Sequence, residues 1–423
     1  MRNKSDISSN PTLKRFRSFH YSFLSIGVLY ILMSSCCLFR YSKTNTTTQW
    51  IGTWSTAPQL VEPGNKPPEP GLSYNTLRQV VRVSLGGDSL RVRFSNEFST
   101  SPVTLHTVQI AVSKGGSVID TATAKELKFN GNPEITMNPG VVIISDPIAF
   151  HLEPRMDIDI TIFFGETSPD VTGHPGSRTT SYLLAGNHIS VSDFSACVHT
   201  DHWYVINGID VKAPESAGAA AILGNSITDG RGSGTNKQNR WPDILSERLL
   251  KNPGTRQVAV LNMGIGGNCV LRKCLGPSAV DRFDRDILKQ PGVRWVIILE
   301  GINDIGQTRD SITAFQVAED LITAYNRMVD LAHARGIKVY GATILPFGKS
   351  FYYKDYRETA RFTINNWIRS SGRFDAVIDF DRVLQNPEEP LIMLPAVHSG
   401  DFLHPNETGY KMMGEAVDLK LFE

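Results

Sequence analysis

From residue 219 to the C-terminus, short apolar runs alternate with longer amphipathic ones, and this alternation constrains the fold more than any other feature of the chain. Residues 219–223, 258–261, 293–300, 337–344 and 376–380 read as strands. Between them, residues 240–251, 278–290, 310–335 and 356–370 read as helices, and a last helix begins near Asn406. Trp241, Ile244, Leu245 and Leu249 share one helical face. Phe315, Leu321, Ile322, Tyr325, Met328, Val329 and Ala332 share another, and Gly336 stops that helix. Strands alternating with helices require a parallel sheet covered on both faces. Ligand-handling groups then lie in loops at the carboxyl ends of the strands.

Residues 50–211 carry the opposite signature. Leu90, Val92 and Phe94 alternate with Arg91 and Arg93, and Val108, Ile110 and Val112 alternate again. Ile158, Ile160, Ile162 and Phe164 do the same, with Asp157 and Asp159 on the other face. Residues 77–85 and 90–94 flank Gly86-Gly87-Asp88-Ser89, which predicts a hairpin. The expectation is a β-sandwich of jelly-roll type. The pattern changes at Pro214. The chain therefore divides into a leader and tether at 1–49, a β domain at 50–213 and an α/β domain at 214–423. Trp50, Trp54 and Trp203 could stack on sugar rings, but such residues more often pack cores or domain interfaces, and that is the expectation here. His202 beside Asp201 is read as structural.

At the N-terminus, Arg2, Lys4, Lys14, Arg15 and Arg17 precede an uncharged apolar run at 23–39, which suits an export segment. Ser34 and Ser35 before Cys36 resemble a bacterial lipoprotein cleavage site; a plain signal peptide or an uncleaved anchor are the alternatives. All three place the remainder outside the cytoplasm, secreted or tethered to the cell surface or periplasm, touching membrane only through an N-terminal anchor. Lys+Arg is 43 against Asp+Glu 42, a balance that removes the basic footprint of a nucleic-acid binder. Cys197 is isolated and is read as a buried thiol. Cys269 and Cys274 lie close enough for a local disulfide in an oxidising compartment. No spacing resembles a zinc site, so no metal is expected.

Four polar loops carry the chemistry. Gly224-Asn225-Ser226-Ile227-Thr228-Asp229-Gly230 follows the first strand of the alternating region, and Asn262-Met263-Gly264-Ile265-Gly266-Gly267-Asn268 the second. Glu300-Gly301-Ile302-Asn303-Asp304 follows the third, and Asp401-Phe402-Leu403-His404-Pro405 leads into the last helix. Singly each is an ordinary turn or helix start. Jointly and in this order they resemble the SGNH hydrolase superfamily, also called GDSL esterases/lipases, from about residue 219 onward. With the β-rich region, the layout looks like secreted two-domain members grouped with a xylanase-linked esterase. The resemblance implies a flavodoxin-like three-layer domain, with Ser226 as nucleophile, Asp401 and His404 as its partners, and Gly267 and Asn303 at the oxyanion. The chain departs from the family pattern at Asn225, where Asp is usual. The nucleophile is untouched, but the question becomes whether Asn225 or Asp229 holds the turn.

The residue chemistry agrees. A serine hydroxyl needs a base to take its proton, and an imidazole titrating near neutrality can be that base. Asp401, three residues before His404, can orient the ring and stabilise the imidazolium. The N–H groups of Ser226 and Gly267 and the Asn303 amide can form an oxyanion hole. Thr228 stands where a nucleophile elbow has its second glycine, which argues against an α/β-hydrolase. The expected reaction is ester hydrolysis through an acyl-enzyme, with no cofactor. The expected substrate is an acetyl ester on a polysaccharide. A lipase or lysophospholipase is the first alternative, disfavoured because no long apolar lid segment separates the blocks. A non-catalytic glycan-binding surface lipoprotein is the second, disfavoured because all five site positions are filled.

Overall fold

The computed structural model describes residues 47–423, so the export segment with Cys36 and Cys37 lies outside the described residues. The alternating region forms a five-stranded parallel sheet from β1 (Gly218–Gly224), β2 (Val258–Gly264), β3 (Val293–Leu299), β4 (Lys338–Ala342) and β5 (Ala376–Ile378). Their spatial order is β2-β1-β3-β4-β5, and every neighbouring pair is parallel. The fold is therefore a mixed α/β one, as the alternation demands. β1, the run GAAAILG, is buried at every residue. Its side chains divide by parity. Ala220 and Ile222 pack with Trp241, Leu245 and Leu249 of the helix Trp241–Lys251. Ala219, Ala221 and Leu223 join a second cluster with Leu321, Tyr325, Met328 and Val329 of the helix Ser311–His333. Phe315, expected on the apolar face of that helix, is 66% exposed, although Ala314 beside it is buried.

The second cluster does not stop at the parallel sheet. It continues into Ile51, Trp54, Leu77, Val81, Phe94, Ile158, Ile160 and Ile162 of the upstream strands, so both regions share one apolar core. Residues 48–423 form one compact unit. Polar contacts reinforce the junction: Val260 N–H donates to Ser84 Oγ at 3.1 Å, and Arg93 Nη2 to Gln290 Oε1 at 2.7 Å.

The upstream strands build three antiparallel sheets of five, seven and three strands. The hairpin expected across Gly86-Gly87 does not form. The strand Thr76–Arg82 pairs with Asp157–Phe164 and Ser181–Leu184, whereas Gly87–Ser95 pairs with Ile206–Pro214 in a different sheet. The glycine pair serves instead where the chain crosses between sheets, tight against Leu152 and Val211. Asp159 corrects a second expectation. Its face of the sheet is covered, because Arg78 beside it reaches the carbonyls of Ser117, Val191 and Ser192 and rests on the Phe194 ring. Burial pushes the Asp159 carboxyl up to about 7. Trp54 and Trp203 are buried and meet edge to face, 5.0 Å between centroids. Cys197 is half-buried rather than buried. Among the described residues, no helix is long and apolar enough to cross a membrane.

Candidate active site

β1 ends at Gly224, and the chain turns at once into the one-turn helix α1 (Ser226–Asp229). Asn225 caps it: its Oδ1 accepts from Ile227 N–H at 3.1 Å. Its Nδ2 donates to Glu300 Oε2 at 3.3 Å, at the end of β3. Burial pushes the Glu300 carboxyl up to about 8, against the pull of the Arg282 guanidinium 3.5 Å away. The other end of α1 is held from outside the α/β region. Asp229 Oδ1 lies 2.9 Å from His174 Nε2, with both side chains almost fully buried, and His174 Nδ1 faces the Ala57 carbonyl at 2.9 Å. A Cβ on Gly176 would lie 1.9 Å from Asp229 Oδ2, so only glycine lets this loop rest on the carboxylate. Asn225 and Asp229 thus hold the turn together, from opposite ends.

Four of the expected residues meet in one cleft of about 370 Å³, lined by Ser226, Gly267, Asn303 and His404. Ser226 Oγ is 2.9 Å from His404 Nε2, and His404 Nδ1 is 2.6 Å from Asp401 Oδ2. Asp401 Oδ1 also accepts from the N–H groups of Leu403 and His404, which folds the Asp-x-x-His segment around the carboxylate. Burial opposes ionisation of Asp401, but the His404 ring and these N–H groups outweigh it and hold the carboxyl well below its usual range. Burial lowers the proton affinity of His404, and the charges of Arg231 and Arg178 lower it further, against the opposing pull of Asp401. The result is a neutral base facing a hydroxyl, the arrangement that proton removal from serine requires.

The loop after β2 brings Gly267 to the same cleft. Gly267 sits at φ +69, a conformation that favours glycine, and a Cβ there would meet Leu275 Cδ1 at 2.8 Å. A disulfide joins Cys269 to Cys274. Asp304 clamps the same loop, its carboxylate accepting from Val270 N–H at 2.8 Å and Leu271 N–H at 3.1 Å. Asn303 gives one amide hydrogen to the Asn268 carbonyl at 2.7 Å, and its Oδ1 accepts from the Tyr352 hydroxyl at 3.1 Å. The amide orientation is thereby fixed, and its second hydrogen remains for a ligand.

Sequence reasoning missed Tyr352 and the whole opposite wall. Glu62, Asn65, Pro175, Gly176, Arg178 and His202, all from the β-rich region, line the same cleft. His202 Nδ1 is also held by the Pro175 carbonyl at 2.6 Å. The one local signal was the polar run His174-Pro-Gly-Ser-Arg178 between strands, whose partner is 50 residues away in sequence or more. Among the described residues, no group of His, Cys, Asp and Glu is placed to hold a metal ion.

Residues 222–412 match the model of the GDSL-like lipase/acylhydrolase family. No curated protein matches the chain. Among solved structures, a lipolytic protein of the G-D-S-L family from Desulfitobacterium hafniense DCB-2 is 24% identical at a TM-score of 0.36, covering 47% of this chain and 96% of its own. A catalytic mutant of an acetylxylan esterase from Geobacillus stearothermophilus is 18% identical at a TM-score of 0.37, covering 47% of this chain and 91% of its own.

Proposed function

We propose that this chain, whose residues 222–412 match the GDSL-like lipase/acylhydrolase family, is a carboxylic ester hydrolase that works through Ser226, His404 and Asp401. The observation that carries the reading is the unbroken line of hydrogen bonds from Ser226 Oγ through the His404 ring to Asp401. Ser226 Oγ attacks the ester carbonyl while His404 Nε2 takes its proton. The carbonyl oxygen, now negative, receives the N–H groups of Ser226 and Gly267 and the free Asn303 amide hydrogen. His404 then gives its proton to the leaving alcohol. A water, deprotonated by the same ring, attacks the acyl-enzyme and releases the acid. Asp401 stabilises the imidazolium in both halves.

The substrate we favour is an acetyl ester on a polysaccharide, acted on outside the cytoplasm by a protein exported through its N-terminal segment. The Cys269–Cys274 bridge suits an oxidising compartment. The upstream sheets are read as a sandwich of jelly-roll type that walls the cleft. A longer acyl chain is the second reading. It is favoured by an apolar groove lined by Leu60, Val61, Phe98 and Pro277, which meets the cleft at Glu62 and Leu275. Replacing Ser226 with alanine tests the chemistry: turnover of p-nitrophenyl acetate should fall by about 10⁴ to 10⁶ with the circular dichroism unchanged. A folded variant keeping a tenth of wild-type turnover would overturn the assignment. A series of p-nitrophenyl esters then separates the substrates, because kcat/KM should fall with chain length for an acetyl esterase and rise for the alternative.

A further inference from the structure

The ester chemistry leaves the β-derived wall of the cleft without a task. We propose that Arg178 and Arg231 together bind an anionic group on the alcohol, so that the substrate is an acetylated acidic glycan of the uronate class. This inference rests on the esterase reading above.

Both guanidiniums line the cleft. Neither is satisfied by the protein. Arg178 Nε is buried with no hydrogen-bond partner among the described residues, and Asp229 Oδ2 lies 3.6 Å from Arg178 Nη2. Arg231 is exposed to the cleft and has no carboxylate within 4.0 Å among the described residues. Asp401 is held by His404, and Glu62 by Gln59 Nε2 at 2.5 Å and Asn65 Nδ2 at 3.1 Å. Asp229 gives Oδ1 to His174, and its Oδ2, which has no hydrogen-bond partner among the described residues, counters part of the Arg178 charge from a distance. Arg231 therefore faces the cleft with no carboxylate in reach, and Arg178 with one that makes no hydrogen bond to it.

The positions are built rather than accidental. Arg178 is held at φ +51, outside the usual range for a side-chain-bearing residue. Its loop is pinned to the segment after α1: Asn236 N–H donates to the Arg178 carbonyl at 2.9 Å, and Arg240 Nη2 to the Ser177 carbonyl at 3.1 Å. Thr180 N–H donates to Asn236 Oδ1 at 2.8 Å. Arg231 is pinned from the other side, its N–H on the Ser226 carbonyl at 2.9 Å and its own carbonyl taking the Tyr410 hydroxyl at 2.6 Å. Both charges lie close enough to His404 to weaken its hold on a proton. His404 is the group that protonates the leaving alcohol, so a sugar leaving on that side brings its substituents toward the two arginines. A guanidinium recognises carboxylate through two parallel N–H donors, which selects an oxyanion over a hydroxyl.

The test compares three substrates that differ at one position of the sugar: the monoacetylated methyl glycosides of galacturonate, galactose and galactose 6-phosphate. In wild type, kcat/KM on the galacturonate ester should exceed that on the neutral ester by about tenfold or more, the effect expected of a charge-assisted hydrogen bond. Raising the salt should shrink this ratio. Arg231→Gln and Arg178→Gln should each bring the ratio down toward one, and Arg178→Lys should retain part of it. Arg231 is exposed, so its variant remains informative if the Arg178 variants fold poorly. A wild-type ratio near one, or a ratio unmoved by Arg231→Gln, would overturn the proposal. A preference for the phosphate ester over both others would overturn the uronate class while keeping an anion site. Failure of the esterase reading is distinguishable, since the wild-type protein would then hydrolyse neither these esters nor p-nitrophenyl acetate.

Discussion

Replacing His174 with alanine should damage both stability and catalysis, although His174 belongs to the β-rich region and touches no substrate. The imidazole is the one side chain hydrogen-bonded to Asp229 among the described residues, and the nearby guanidinium of Arg178 stays at 3.6 Å. The Asp229 side chain is 2% exposed, so water does not replace the lost hydrogen bond. Breaking a buried pair by deleting one partner costs about 3–5 kcal/mol, most of it the penalty of the stranded group. The His174 ring also stacks on Trp203 at 6.0 Å, so a cavity term adds to the loss. Urea unfolding of His174→Ala, Asp229→Ala and the double variant measures this. The double variant should be more stable than the sum of the single losses by about 1–3 kcal/mol, because neither member of the pair is left facing an absent partner. Additivity within about 0.5 kcal/mol would refute the coupling. Catalysis should follow, because Asp229 and Ser226 lie on the same helical turn. A displacement of the nucleophile by about 1 Å lowers turnover by about 10²-fold. If His174→Ala loses stability but keeps kcat on p-nitrophenyl acetate, the pair supports the junction and not the nucleophile.

Other outcomes test the site piece by piece. Asn303→Ala should lower kcat by about 10²–10³ with little change in KM, and Tyr352→Phe, which frees the amide to turn, should lower kcat by up to about tenfold. A change confined to KM would make Asn303 a substrate contact. Since burial lowers the proton affinity of His404, its neutral form persists to lower pH than in free histidine. On a neutral ester, kcat/KM should therefore rise with pH through a midpoint below the ordinary histidine value of about 6.5. Arg231→Gln removes a neighbouring cation and should move that midpoint upward; a wild-type midpoint above neutrality contradicts the assignment. Replacing Cys269 and Cys274 together with serine should cost about 2 kcal/mol in denaturant unfolding, since the closed loop is short. The same variant should lower kcat, because Gly267 stands two residues before the bridge. An unchanged kcat would remove the bridge from catalysis.

The alternation of apolar runs in residues 219–423 was enough to determine a parallel α/β sheet, because each run states its own period and a βαβ crossover leaves few topologies. The alternation did not name the site residues: Ser226, Gly267, Asn303, Asp401 and His404 were singled out by four loop motifs and the family they resemble, and the parallel sheet explains only why the first three of those loops lie at one edge. Local pattern could not choose partners. The strand Thr76–Arg82 finds its neighbours at Asp157–Phe164 and Ser181–Leu184, and the glycines beside it made a local hairpin look sufficient. Nor could it say what covers a face. Period two placed Asp159 opposite the isoleucines, and only the return of residues 191–194 over Arg78 buried it; period 3.6 placed Phe315 on the apolar face of its helix, yet Phe315 itself is left exposed while the rest of that face is packed. The cleft itself is the clearest case. Its floor follows from one stretch of sequence, but its second wall comes from Glu62, Arg178 and His202, brought there by a core shared between the two regions. Burial of that shared apolar surface is non-directional and long-range, so it leaves no periodicity in either segment. Which residues face Ser226 was for that reason decided by tertiary packing alone.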